Sequence, residues 1–215
     1  MKQLNLTLTL ITAAASALLL SACGSNNQAA APQIRVTDLA AGVYAVSSGD
    51  AAGLSEGKYY AAADGSRLLV LNDASQKASA LYRRTGNGQW SMTPPPSADT
   101  TLELANSNAV TAPQASLSTL ARSYTLRLSS GEMASFSIAS SGDIVAGSST
   151  CKLSGKLTTS PLPGTLKASL TSAACGDLPA QSDGYLVVDS DYAPASFRLL
   201  ATSGTTLVDL WAYAE

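Results

Sequence analysis

The chain has 215 residues, with 13 basic side chains, 15 acidic ones, 3 cysteines and no histidine. The absence of histidine excludes a Ser-His-Asp or Cys-His nucleophile and leaves too few soft ligands for a structural zinc site. The formal net charge is −2, and of the basic residues only Arg83 and Arg84 are adjacent. That argues against a nucleic-acid partner, which needs clustered cations.

The chain opens with a basic Met1-Lys2-Gln3 and an apolar run from Leu4 to Leu20, diluted by Asn5, Thr7, Thr9 and Thr12. Small residues follow in Leu20-Ser21-Ala22-Cys23-Gly24, so residues 1–22 read as a secretory signal peptide rather than a span. Leu20-Ser21-Ala22-Cys23 resembles the lipobox of bacterial lipoproteins. The resemblance implies that Cys23 becomes a lipidated N-terminus. With about 0.8 kcal/mol per buried methylene, several acyl chains hold a protein to a bilayer without a transmembrane helix. By the same resemblance, Gly24 rather than Asp after the cysteine implies the outer membrane. Residues 23–41, in which Gly24-Ser-Asn-Asn-Gln28 follows the cysteine, read as the lipidated N-terminus and a flexible tether.

Residues 42–92 form a first β half. The expected strands are 42–47, 58–62, 67–71, 78–83 and 89–92, with 54–57 as turn material. Asp64-Gly65 between apolar runs is a strong hairpin signal. Residues 93–121 read as a connector. Pro94-Pro95-Pro96 breaks any central strand, Thr101 to Leu104 suits a short strand, and 106–120 is a polar loop with weak helical leanings. Residues 122–215 form a second, more regular β half. Tyr124, Leu126 and Leu128 alternate with polar residues, as do Phe136 and Ile138, and later Leu166, Ala168 and Leu170. Strands follow at 144–147, 185–189 and 197–201, and the chain ends in a hairpin about Ser203-Gly204 whose last strand carries Leu207, Leu210, Trp211 and Tyr213.

With Cys23 acylated, two cysteines remain in an exported chain, and they are expected to pair as Cys151–Cys175. The bridge closes a hairpin across its open end. A loop of about 25 residues gives roughly 3 to 3.5 kcal/mol by chain entropy. The run Ser137 to Leu157, with Cys151-Lys-Leu-Ser-Gly155, then Cys175 and Gly184-Tyr-Leu-Val-Val-Asp189, resembles small bacterial surface lipoproteins and secreted β-barrel modules. Over residues 120–215 that likeness implies fold and no activity. Turns about every eight to twelve residues, without a helical repeat, give an all-β fold. The expectation is an antiparallel barrel or barrel-like sandwich of about eight to ten strands with one disulfide.

Little here points to chemistry. Ser154 and Lys156 share a strand face and allow Ser-Lys catalysis, although an ordinary surface pair is the simpler reading. Asp189, Asp191 and nearby Asp183 allow calcium, although aspartates also cap turns. Aromatic residues on strands mostly fill cores. Trp90 and Tyr192 stand beside turns, so Trp90, Asp189, Asp191 and Tyr192 are the candidate ligand or partner surface. The expectation is a non-enzymatic, outer-membrane-anchored binding or envelope accessory module, needing no metal or cofactor. Its partner would be an envelope protein or a glycan. The alternatives are a lipocalin-like carrier of a small apolar ligand and a hydrolase with a site lacking histidine.

Overall fold

Some strands carry apolar residues at consecutive positions, and such strands need cover on both faces. Arg67-Leu-Leu-Val-Leu-Asn72 buries every side chain but the last. Phe197-Arg-Leu-Leu-Ala-Thr buries all six. The fold meets this demand by stacking an open sheet against a closed barrel. The computed structural model describes residues 31–49, 53–112 and 114–215. Residues 1–22 and Cys23 lie outside the described residues.

The first half contributes β1 (Ile34–Val36), β2 (Gly42–Ser48), β3 (Ser55–Ala61), β4 (Arg67–Asn72), β5 (Ala78–Arg84), β6 (Ser91–Thr93), β7 (Thr100–Leu102) and β8 (Leu104–Val110). A one-turn helix α1 (Leu117–Leu120) leads into β9 (Ser123–Arg127), β10 (Met133–Ile138), β11 (Asp143–Ala146), β12 (Lys152–Thr159), β13 (Thr165–Ala173), β14 (Gln181–Val187), β15 (Phe197–Ser203) and β16 (Thr206–Ala214). Strands β9 to β16 run up and down and close where β16 pairs with β9, giving an eight-stranded antiparallel barrel. The first half forms a six-stranded sheet in the order β6-β5-β4-β3-β2-β8, and β1 pairs with β7 in parallel.

The barrel interior is filled by its own side chains. Tyr124, Phe136 and Phe197 meet with ring centroids 4.7 to 6.4 Å apart. Leu126, Leu153, Leu157, Leu186 and Leu199 pack in the same cluster. The Tyr124 hydroxyl donates to the Leu120 carbonyl at 2.9 Å, which ties α1 to the core. Cys151 and Cys175 are bonded, with Cα atoms 4.4 Å apart, and both are buried at the open end of the β12–β13 hairpin. Gly164 turns that hairpin with φ of 69°, a left-handed geometry that glycine adopts at no steric cost. Gly184 serves differently. A Cβ there would lie 2.0 Å from the Leu200 carbonyl oxygen, so only glycine lets β14 lie this close to β15.

One face of the sheet packs on the outside of the barrel. Val43, Tyr60, Leu68, Val70 and Leu81 meet Val187, Tyr192 and Leu200. The other face, with Val46, Tyr59, Leu69 and Tyr82, is covered by Ile34, Val36 and Leu102 of β1 and β7. Each fully buried side chain of this kind contributes about 1.5 to 3 kcal/mol, so sheet and barrel form one rigid framework.

Three expectations change. The fold begins before Gly42, because β1 belongs to it and Asp38 is held by Arg67 and Arg84. Residues 55–57 extend β3 instead of turning. Residues 104–110 are the edge strand β8, paired with β2, although 105–109 are all exposed. Pairing with β2, the hydrogen bond from Asn106 to Ser47 and the partly buried ends Leu104 and Val110 keep the strand in place, and 105–109 carry no large apolar side chain.

Candidate functional site

The barrel strands nearest the sheet bring charge into an apolar contact. Arg198 on β15 points outward from the barrel and is fully covered by the sheet. Its guanidinium donates to both carboxylate oxygens of Asp209 at 2.6 and 2.7 Å, to Asn72 Oδ1 at 3.0 Å and to the Gln76 carbonyl. It also lies 4.7 Å from the ring centre of Trp211 and 5.9 Å from that of Tyr192. A buried cation is tolerated only when paired and hydrogen-bonded in this way. Burial works against its charge, but the Asp209 carboxylate outweighs that and moves its pKa upward.

After β14 the chain makes a single 3-10 turn, Ser190–Tyr192. Asp189 caps it by accepting the Asp191 amide at 3.0 Å. The turn places both carboxylates at the sheet. Lys58 of β3 binds Asp191 at 2.6 Å and Asp189 at 3.1 Å. Burial disfavours the ammonium, yet hydrogen bonds to Asp191 and Asp189 leave its pKa raised. The Tyr192 and Tyr60 hydroxyls lie 3.4 Å apart in the core between sheet and barrel. Burial, first of all, pushes both phenols up.

Where the barrel curves away from the flat sheet, the junction opens. One hollow of about 590 Å³ is lined by Glu56, Lys58, Asn72, Asn106, Asn108 and Asp191, among others. Cross-strand register puts Asn106 beside Ser47 and Asn108 beside Ala45, so β8 continues the same face. A second hollow of about 640 Å³ lies along β16, with Lys77, Arg127, Leu207 and Tyr213. Gln76 and Trp211 border both, so the two adjoin at the indole. Each falls in the volume range of ligand clefts, roughly 300 to 1,000 Å³.

The structure brings Asp189, Asp191 and Tyr192 together and leaves Trp90 apart. Trp90 lies on the opposite face of the sheet, edge-on to Tyr59 and 5.2 Å from the Arg84 guanidinium. Tyr192 is buried rather than displayed. The Lys58 ammonium stands between the two carboxylates, where a calcium ion would otherwise bind. Lys156 is paired with Asp143 at 2.8 Å and Lys152 donates to the Gly147 carbonyl at 2.8 Å, so both amines flanking Ser154 on this strand are engaged elsewhere. The residues that sequence reasoning missed are Lys58, Arg198, Asn106 and Asn108, with Trp211 noted only as an aromatic. Arg198 had a signal, being a charge inside an otherwise apolar strand. Closing the hairpin about Gly204 sets Arg198 opposite Trp211 and one step from Asp209.

Comparison with protein-family models, with curated proteins and with solved structures finds no match.

Proposed function

We propose that the chain is a lipid-anchored, non-enzymatic binding module of the bacterial outer membrane, and that its ligand site is the groove at the sheet–barrel junction. The observation that carries the reading is the rigid, half-open junction with Trp211 at its centre and polar side chains on its floor. Lys58 is spent on Asp189 and Asp191, Arg198 on Asp209 and Lys156 on Asp143, which leaves none of these three cations for catalysis. A rigid β scaffold presenting polar groups is suited to binding. The anchor rests on Leu20-Ser21-Ala22-Cys23.

The barrel also fits a lipocalin-like architecture, but Tyr124, Phe136 and Phe197 occupy the space that a carried ligand would need. A fatty-acid analogue fed to expressing cells is expected to label the wild type and leave Cys23→Ala unlabelled. Equal labelling of both would end the anchor. The full-length protein is expected to retain an envelope component from extracts, and Asn106→Ala/Asn108→Ala to lose it. A stoichiometric lipid that co-purifies with both would put the ligand inside the barrel instead.

A further inference from the structure

We infer that the groove takes a linear, neutral oligosaccharide, with one sugar ring lying against Trp211 and its neighbours extending into the two hollows. The inference rests on the groove being the binding site, and it names the ligand class. Three observations carry it.

The first is charge. Among the described residues Lys58 is the one cation lining the first hollow; it is paired with Asp189 and Asp191, and Glu56 adds a further carboxylate to the lining. The first hollow is therefore net acidic, and Lys77 and Arg127 of the second are matched by Asp177 and Asp209, so the groove has no excess of cations to hold a phosphate chain, nucleic acid or acidic lipid headgroups.

The second is the donor and acceptor set. Asn106 uses its amide nitrogen on Ser47 Oγ at 3.1 Å, its carbonyl has no partner among the described residues, and Asn108 is exposed beside it. Glu56 and the outer oxygen of Asp191 supply further acceptors. Amides and carboxylates side by side match the alternating hydroxyl donors and acceptors of a sugar edge. The floor strands β2, β3 and β4 have neighbours on both sides, so an extended peptide would find an open ladder only along the edge strand β8, at the rim of the groove and not on its floor.

The third is the aromatic platform. Arg198 and Tyr192 hold the Trp211 indole in place, and the part left uncovered borders both hollows. Tyr213, 39% exposed, stands two residues on along the same face of β16. That spacing is about 7 Å, on the order of one sugar unit. Rigid aromatic faces with polar rims accept the apolar C–H face of a pyranose while leaving its hydroxyls to the amides. Two hollows meeting at one indole suit a chain of sugars better than a monosaccharide.

The test uses full-length protein carrying Trp90→Phe, so that Trp211 is the single tryptophan and can be excited selectively over the tyrosines. Cellohexaose, maltohexaose and chitohexaose are titrated separately, with a phosphate oligomer as the anionic control. At least one hexasaccharide is expected to change Trp211 emission saturably, and the phosphate oligomer is expected to do nothing. Asn106→Ala/Asn108→Ala, at two exposed positions that leave the fold intact, is expected to weaken that response by about tenfold. Tyr213→Ala should weaken it as well. If no hexasaccharide gives a saturable change, or the response survives both variants unaltered, the oligosaccharide assignment is wrong. Should an envelope protein still be captured in a manner that depends on Asn106 and Asn108, the groove remains the binding site for a different ligand. If capture fails as well, both readings fall.

Discussion

Arg198→Met tests whether the charge buried between sheet and barrel is held by the pairing described. The Arg198 side chain is fully buried and that of Asp209 is 12% exposed, so removing the cation strands a nearly dry carboxylate. Breaking such a pair from one side costs about 3 to 5 kcal/mol. Two features place this case at the lower end. Asp209 also accepts the Ala78 amide at 2.8 Å, and Asn72, Gln76 and Ala78 border the hollows, where water can replace the guanidinium. Methionine refills part of the volume against Trp211 and Tyr192. The expected loss is about 3 kcal/mol, against a total stability of about 5 to 15 kcal/mol for a domain. Adding Asp209→Leu removes the stranded charge, and the double variant is expected to recover to within about 1 kcal/mol of wild type. Urea unfolding followed by circular dichroism, with the slope checked for constancy, measures both. A single variant losing less than about 1 kcal/mol would refute the argument, as would a double variant no better than the sum of its parts.

Replacing Cys151 and Cys175 by alanine should lower stability by about 3 to 3.5 kcal/mol, read as a shift in urea midpoint that reductant reproduces in the wild type. On the acid side, burial works against the Asp38 carboxylate, but hydrogen bonds from Arg84 and Arg67 outweigh it and hold its pKa below 3.8. Its contribution is therefore present above that value and fades as pH falls through the depressed one. Asp38→Asn should flatten the acid limb modestly, because the side chain is half exposed. On the alkaline side, burial raises Tyr60 well above 10.0, so stability drops as pH climbs past the ordinary phenol value, and Tyr60→Phe should lessen the drop.

How much of this was legible depends on which residues carry a local signal. Most of the second half alternates, and its inward positions, from Tyr124 and Leu126 through Leu210 and Ala212, became barrel core, whereas Phe197-Arg-Leu-Leu-Ala-Thr is buried on both faces. The first half was legible as strands and not as an arrangement. Nothing within Leu68-Leu69-Val70-Leu71 says which side meets a barrel and which meets β1 and β7. The strand β8 was invisible because Asn106, Ser107 and Asn108 are polar on both faces and held by pairing with distant β2. The site suffered the same way. Asp189 and Asp191 were visible through their spacing, but Lys58 stands more than a hundred residues away in sequence, and only folding brings it between them. Trp90 and Tyr192 look alike in sequence, each beside a turn, yet Trp90 packs on one face of the sheet and Tyr192, in the 3-10 turn after β14, packs against the other.

The groove itself follows from joining two surfaces of different curvature. A closed barrel bends away from its tangent, whereas the six-stranded sheet is open and ends in strands with free edges. Contact is therefore densest along a central band, where Leu68, Val70 and Leu81 meet Val187 and Leu200. Beyond that band the two surfaces separate, and the side chains facing the gap must satisfy water or a ligand. Lys58, Arg198 and their carboxylates stand at the boundary between these zones. There they fix the angle between sheet and barrel more by geometry than by net stabilisation, since a buried ion pair often contributes little over an apolar one. The double variant of Arg198 and Asp209 separates the two roles. If stability returns while binding in the groove does not, the ion pair serves to position Trp211 for the ligand.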